Sequence, residues 1–319
     1  MKRSRFGVEN VFWRRVIDWS VAHIPALFHG PLIWVGATVF FFFAGRARRA
    51  VITNLELVLP GSWLPANWVR VIRVFANFGW SLTDTATYRI LKPRFRYELE
   101  RMRYLEQLAS GRNAIVLTAH MGSYDLAASL FAQKFHRSIR MVRAPESDPS
   151  STEHMHQALE QSAAGAVKVG YSNDGTALAF DLLNALRDGE IISIQGDRVV
   201  GDVGQGAVRF CRHQVFLPNG PFVLSLVADT PIYPVFIVRI GHRKYKIVAR
   251  EPIVCERNGA SRDEVIANAM QRWAEVLQEM TRSYWPQWFA FTPLSSSSAH
   301  SESLSIRQKD EDQAEENER

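Results

Sequence analysis

Residues 24 to 45, IPALFHGPLIWVGATVFFFFAG, contain no Lys, Arg, Asp or Glu, and this run constrains the 319-residue chain more than any other feature. A charge-free stretch of that length can cross the hydrocarbon core of a bilayer. The block VFFFFAG set directly against RARR is hard to bury inside a soluble core. Basic residues flank the run on both sides, with Lys2, Arg3, Arg5, Arg14 and Arg15 before it and Arg46, Arg48 and Arg49 after it. A cleavable secretory signal ends in small neutral residues instead, so the run reads as an uncleaved membrane anchor. Pro25, Pro31, His29 and Gly30 interrupt its first half, so a broken helix lying partly in the interface fits these residues as well as a spanning one. The doubled basic flank leaves the orientation open.

Charge points the same way. The formal net charge is +6, yet the last twenty residues carry seven Asp and Glu against three Lys and Arg. Without that tail the body stands at about +10, which calls for an anionic partner such as a bilayer surface or a phosphorylated molecule. The arginines gather near the anchor and at strand ends, not in a stripe interleaved with aromatics, which argues against nucleic acid. Cys211 and Cys255 stand alone, without metal-ligand spacing, as expected of thiols in a reducing compartment. The expected organisation is a basic N-terminus and anchor over 1–50, one large domain over 51–293, and a disordered, acidic, serine-rich tail over 294–319.

Behind the anchor, RARRAVITNLELVLPG predicts a helix stopped by Pro60 and Gly61, and NWVRVIRVFANFGWSLTDTATYRIL a second with Val71, Val74, Phe75, Phe78, Leu82 and Ala86 on one stripe. From residue 113 short β-rich runs alternate with helical patterns, the mark of βαβ units. The runs are 114–119, 138–143, 190–195, 231–239 and 244–250. Helices are expected over 123–135, 152–164 and 174–188, the last capped by Asp174 and ended by Gly189. Another follows Asn219, and a last one opens on the capping box Ser261 to Glu264. GDVGQG, 201–206, reads as a flexible loop. The expected fold is α/β, a mainly parallel or mixed sheet with helices on both faces, preceded by an N-terminal hydrophobic membrane-anchor helix.

In open parallel sheets ligands bind at the carboxyl ends of the strands. Here those ends carry His120, Arg143 and the triplet Gly196, Asp197, Arg198, while Asn219 and Gly220 open a helix suited to an anion. His120 and Asp125 stand five positions apart in HMGSYD, a spacing that chance alone supplies. Its position, at a strand end leading into a helix, is what gives it weight. An imidazole fixed by Asp125 could take a proton from a hydroxyl. Ser123 lacks the G-x-S-x-G elbow of a hydrolase nucleophile, so direct attack by a substrate hydroxyl on an ester or thioester carbonyl fits best. Arg143 and Arg198 would hold anionic groups or support the oxyanion. Asp197 is expected to orient Arg198 or a loop.

HMGSYD after an apolar strand, RRAVITNLELVLPG behind the anchor, GEIISIQGDRV, and FLPNGPFVLSLVADTPIYPVF together resemble the lysophospholipid acyltransferase superfamily, and within it the bacterial lipid A biosynthesis (lauroyl/myristoyl) acyltransferase branch. The resemblance covers roughly residues 10 to 293. It implies a membrane-associated enzyme on the cytoplasmic face of the inner membrane that moves an acyl chain from a carrier thioester to a lipid or glycolipid hydroxyl or amine. On this reading His120 and Asp125 are catalytic, and Gly122, Arg143, Asp197, Arg198, Asn219 and Gly220 bind substrate. No cofactor or metal is expected; acyl carrier protein or coenzyme A delivers the acyl chain. The branch more often has Asn-Trp-Glu where Ser123, Tyr124 and Asp125 stand here, and an Asp-Gln form in place of GDR. The acceptor and the choice of carrier stay open. The rivals are a glycerophospholipid acyltransferase, a thioesterase and a non-catalytic lipid-binding protein.

Overall fold

A computed structural model describes residues 11–61, 63–143, 167–171, 175–199 and 203–294. The expected helix over 152–164, the Asp174 cap and the acidic tail beyond 294 lie outside the described residues.

Helix α1 (Val11–His23) ends ahead of Pro25, whose extended backbone starts a short 3₁₀ turn, Ala26–Phe28. Helix α2 (His29–Phe43) follows at once, with Pro31 in its first turn, where a missing N–H costs nothing. At 1.5 Å per residue α2 is ~22 Å long, short of the ~30 Å hydrocarbon core. Together with the turn, Ala26–Phe43 is the one segment among the described residues long and apolar enough to cross a membrane, and only 17% of it is buried. Leu27, Val35 and Phe42 are 82%, 63% and 67% exposed. A soluble core helix hides such side chains, so the segment Ala26–Phe43 leaves an apolar face uncovered.

Helix α3 (Gly45–Val58) and the long α4 (Leu64–Leu91) come next. Phe40 meets Phe75 edge to face, and Phe41 meets Trp68, tying α2 to α4. The predicted α4 stripe faces inward, with Val71, Val74, Phe75 and Ala86 buried. Asn54 of α3, 1% exposed, donates to the carbonyls of Ala290 and Thr292 and accepts from Leu294 N–H. The N-terminal helices and the end of the described chain are thereby bolted together.

Among the described residues the main sheet holds seven strands: β1 (Arg96–Glu100), β2 (Ala114–Thr118), β3 (Ile139–Arg143), β4 (Val167–Tyr171), β5 (Ile191–Gln195), β8 (Ile232–Gly241) and β9 (Lys244–Ala249), in the order β1-β9-β8-β2-β5-β3-β4. All neighbours run parallel except β8 and β9, which form an antiparallel pair. The sheet is therefore mixed. Strands β6 (Gln205–Phe210) and β7 (His213–Pro218) make a separate hairpin. Gln205 and Gly206 of the expected flexible loop thus belong to a strand. Strands β1, β4, β6 and β7 were not foreseen.

Side chains alternate across a strand, and here the alternation divides the core in two. Ile115 and Leu117 of β2, Ile192 of β5 and Phe236 of β8 pack on one face with α3, α4, α7 (Gly175–Arg187), α8 (Gly220–Ala228) and α9 (Arg262–Tyr284). Ala114, Ile191 and Ile237 pack on the other with α5 (Met102–Ser110) and α6 (Tyr124–Phe135). Helices cover both faces. Helix α9 starts where predicted, its capping box complete and its stripe through Ile266, Met270, Trp273, Leu277 and Met280 buried. Helix α7 ends at Arg187, with Gly189 left-handed at φ +81° as its stop.

Candidate active site

The chain leaves β2 at Thr118 and turns through His120, Met121, Gly122 and Ser123 into α6. Gly122 has φ +58°, and a Cβ there would fall 1.8 Å from the carbonyl oxygen of Ile237. Only glycine fits this close approach. Its N–H donates to Gln287 O at 3.0 Å and its carbonyl accepts from Ser81 Oγ at 3.1 Å. Both backbone groups thus have partners within the protein, and what the structure shows for Gly122, expected to bind substrate, is a part in shaping the turn.

Underneath lies a buried polar cluster. Ser81 and Ser123 share a hydrogen bond at 2.8 Å. The Asp84 carboxylate, 3% exposed as a residue, accepts from Tyr245 Oη at 2.6 Å and from Arg239 Nε at 2.9 Å. Phe289 N–H donates to His120 O at 2.7 Å, so the segment after α9 clamps the turn from the other side.

The imidazole of His120 does not pair with Asp125. Its Nδ1 lies 2.7 Å from Asp197 Oδ1. The second oxygen of Asp197 accepts from Trp288 Nε1 at 3.0 Å, and Asp197 is only 1% exposed. Sheet register explains the pairing. Thr118 of β2 stands opposite Gln195 of β5, and Gly196 N–H donates to Thr118 O at 2.9 Å. Two residues beyond each strand end come His120 and Asp197, brought level. Asp125 instead accepts from Arg143 at 2.6 Å, across to the end of β3. The expected His120–Asp125 contact is thus replaced by two pairs, His120 with Asp197 and Asp125 with Arg143. Asp197, expected to orient Arg198 or a loop, orients the histidine.

Burial pushes the His120 pKa below its ordinary 6.5; Asp197 opposes this, and the positive charges of Arg198 and Arg143 reinforce it. Burial would raise the Asp197 carboxyl, but His120, Arg198 and the Trp288 N–H outweigh it and hold its pKa at about 2. The pair at neutral pH is therefore a carboxylate and a neutral imidazole. With a carboxylate facing Nδ1, the proton sits there and Nε2 keeps its lone pair. The Tyr124 ring packs edge-on to His120 at 6.1 Å, and Arg143 lies over Tyr124 at 5.7 Å. Burial raises the Tyr124 pKa.

Arg198 reaches this shell, since its charge acts on both His120 and Asp197. Asn219 and Gly220 open α8 as expected, with Asn219 N–H bonded to Gly204 O at 2.9 Å. Among the described residues no hydrogen bond joins either of them to His120 or Asp197. Trp288, Gln287, Gln195 and the Asp84 cluster were not foreseen as parts of the site. The aromatic run YWPQWFAF, 284–291, is a sequence signal that could have drawn attention to Trp288. No group of three or more His, Cys, Asp or Glu side chains able to hold a metal ion occurs among the described residues.

A neutral, carboxylate-oriented histidine with a free nitrogen at the carboxyl edge of a parallel sheet can accept a proton from an attacking hydroxyl. No curated protein matches the chain by sequence comparison. The sequence profile described as bacterial lipid A biosynthesis acyltransferase matches residues 4–294, nearly the whole chain and every element of this site. The chain belongs to the bacterial lipid A biosynthesis acyltransferase family.

Proposed function

We propose that this acyltransferase works at the cytoplasmic face of the inner membrane, moving a fatty acyl chain from the thioester of acyl carrier protein or coenzyme A to a hydroxyl or amine of a lipid or glycolipid. His120 is the general base. Its Nε2 takes the proton of the acceptor hydroxyl as that oxygen attacks the thioester carbonyl, and returns it to the departing thiolate. Asp197 holds the proton on Nδ1 and stabilises the imidazolium formed in the transition state. The observation that carries this reading is the His120–Asp197–Trp288 arrangement, which fixes one tautomer of a histidine whose burial keeps it neutral.

Arg143 and Arg198 supply positive charge for a phosphate or carboxylate of either substrate, with Asp125 fixing the arginine it pairs with. The exposed apolar face of α2, bordered by exposed Arg46 and Arg49, seats the enzyme on an anionic bilayer. The acyltransferase domain spans 51–293, and no cofactor enters the reaction.

The test is direct. Purified enzyme is incubated with labelled acyl carrier protein thioester or acyl-coenzyme A and a total lipid extract, and label is followed into lipid. Appearance of one labelled lipid class supports the reading. Label released only as free fatty acid, whatever the lipid supplied, would make the protein a thioesterase.

A further inference from the structure

Two buried side-chain nitrogens among the described residues have no hydrogen-bond partner, Gln195 Nε2 and Arg198 Nε. A buried unpaired donor costs about 1–3 kcal/mol, so such groups are rare and call for a physical reason. These two do not lie at random in the molecule. They bracket Gly196 and Asp197, the residues that tie β5 to β2 and orient His120.

Gln195 is the last residue of β5, level with Thr118. Its amide stands within hydrogen-bonding reach of the Tyr124 hydroxyl without a formed bond at Nε2, and the Tyr124 ring packs edge-on to the His120 imidazole at 6.1 Å. Arg198 is close enough to act on both His120 and Asp197. Both unpaired donors therefore flank the Gly196–Asp197 segment that meets the imidazole. Other donors of this region are spoken for: Trp288 Nε1 serves Asp197, Trp273 Nε1 serves Gly196 O at 2.9 Å, and the Gly122 N–H serves Gln287.

We infer that Gln195, acting with Arg198, forms the oxyanion hole of the acyl transfer. The inference rests on the proposed His120 mechanism. As the acceptor oxygen bonds to the thioester carbon, the carbonyl π pair moves onto its oxygen and the acceptor proton moves to His120 Nε2. The Gln195 amide and the Arg198 guanidinium donate to that oxyanion. When the carbonyl reforms, the C–S bond breaks and the His120 proton leaves with the thiolate, giving ester and free thiol. The two donors lack acceptors in the resting enzyme because their acceptor exists only during the reaction, the arrangement that raises kcat most efficiently.

Steady-state kinetics of Gln195→Ala and Gln195→Glu test this, with acyl transfer and acceptor-free thioester hydrolysis both measured. An oxyanion donor is worth about 10²–10³ in kcat. Gln195→Ala should lose at least about 30-fold in kcat, with donor KM within about threefold of wild type, and lose hydrolysis in parallel because hydrolysis passes through the same oxyanion. Gln195→Glu keeps the size but replaces the donor by an acceptor, and should be at least as impaired. Melting temperatures establish that both variants fold; were Gln195→Ala to unfold, Gln195→Glu alone decides. Folded variants with near wild-type kcat overturn the assignment, as does a loss confined to KM or to transfer alone. His120→Ala, run alongside, reports on the base separately: an inactive His120→Ala beside active Gln195 variants removes the oxyanion hole and leaves the base in place.

Discussion

Asp197→Asn separates the observed pairing from the one the sequence suggests. The Asp197 carboxylate receives two N–H groups, from His120 at its Oδ1 (2.7 Å) and from Trp288 at its Oδ2 (3.0 Å), with no solvent-exposed side-chain surface. Asparagine offers one oxygen and one NH₂. The indole has no lone pair to accept with, so if the oxygen serves Trp288 the NH₂ faces His120 Nδ1. The imidazole then shifts its proton to Nε2, and the base is lost. If the oxygen serves His120 instead, the Trp288 N–H is left unpaired in a buried site, at about 1–3 kcal/mol. Loss of acid–base catalysis costs about 10²–10⁴ in rate, and loss of the productive tautomer in a serine-protease triad lies at the upper end. Asp197→Asn should therefore cut kcat by at least about 10², with donor KM little changed. The assay is transfer of labelled acyl chain to lipid, per folded molecule judged by thermal melting. Asp125→Asn, which disturbs only the Arg143 pair, should lose less than Asp197→Asn. A near wild-type Asp197→Asn together with an inactive Asp125→Asn would refute the reasoning and restore the pairing read from sequence.

Four further outcomes are expected. Because burial holds the His120 pKa below 6.5, the acidic limb of kcat/KM should lie below pH 6.5 and the rate should be level at pH 7; a limb above 7 would contradict the neutral imidazole. Stability should fall in the same direction, since the unfolded chain binds the His120 proton first as pH drops through 6.5, and the Asp197 contribution, present above 3.8, is lost as pH falls to about 2. Gly122→Ala forces a Cβ to within 1.8 Å of the Ile237 oxygen at φ +58° and should destabilise by several kcal/mol (~3 or more), read by denaturant unfolding; a change under about 1 would show that the turn can relax. Replacing the exposed Leu27, Val35 and Phe42 by Glu should abolish flotation with anionic vesicles while leaving the melting temperature within a few degrees, and unchanged flotation would remove α2 from the membrane contact.

The legible part of the fold was the part written in local pattern. Apolar runs bounded by turn residues gave β2, β3, β5, β8 and β9, and the Ser261 box gave the start of α9. The strands that went unread lack that pattern: β1 reads RYELE, charged at three of its five positions, and β6 and β7 form a hairpin whose turn at Cys211 takes φ +57° on a non-glycine residue. Some residues of the candidate site were legible, but their pairing was not. His120, Arg143, Asp197 and Arg198 all stand at strand ends, which a parallel-sheet rule finds without knowing strand order. Pairing depends on that order. Asp125 is near His120 in sequence, but β5 lies beside β2, so the residue two beyond Gln195 meets the residue two beyond Thr118. Trp288 was out of reach for the same reason, entering from a segment that bridges to Met121 from more than 160 residues away.

The most direct test of the account is the turnover of His120→Ala per folded, vesicle-bound molecule, measured beside its affinity for the acyl donor. Removing the base should lower acyl transfer by about 10²-fold or more while leaving donor binding nearly intact. Folded His120→Ala protein that transfers acyl chains at the wild-type rate would contradict it, and would make the His120–Asp197–Trp288 arrangement a structural strut of the turn.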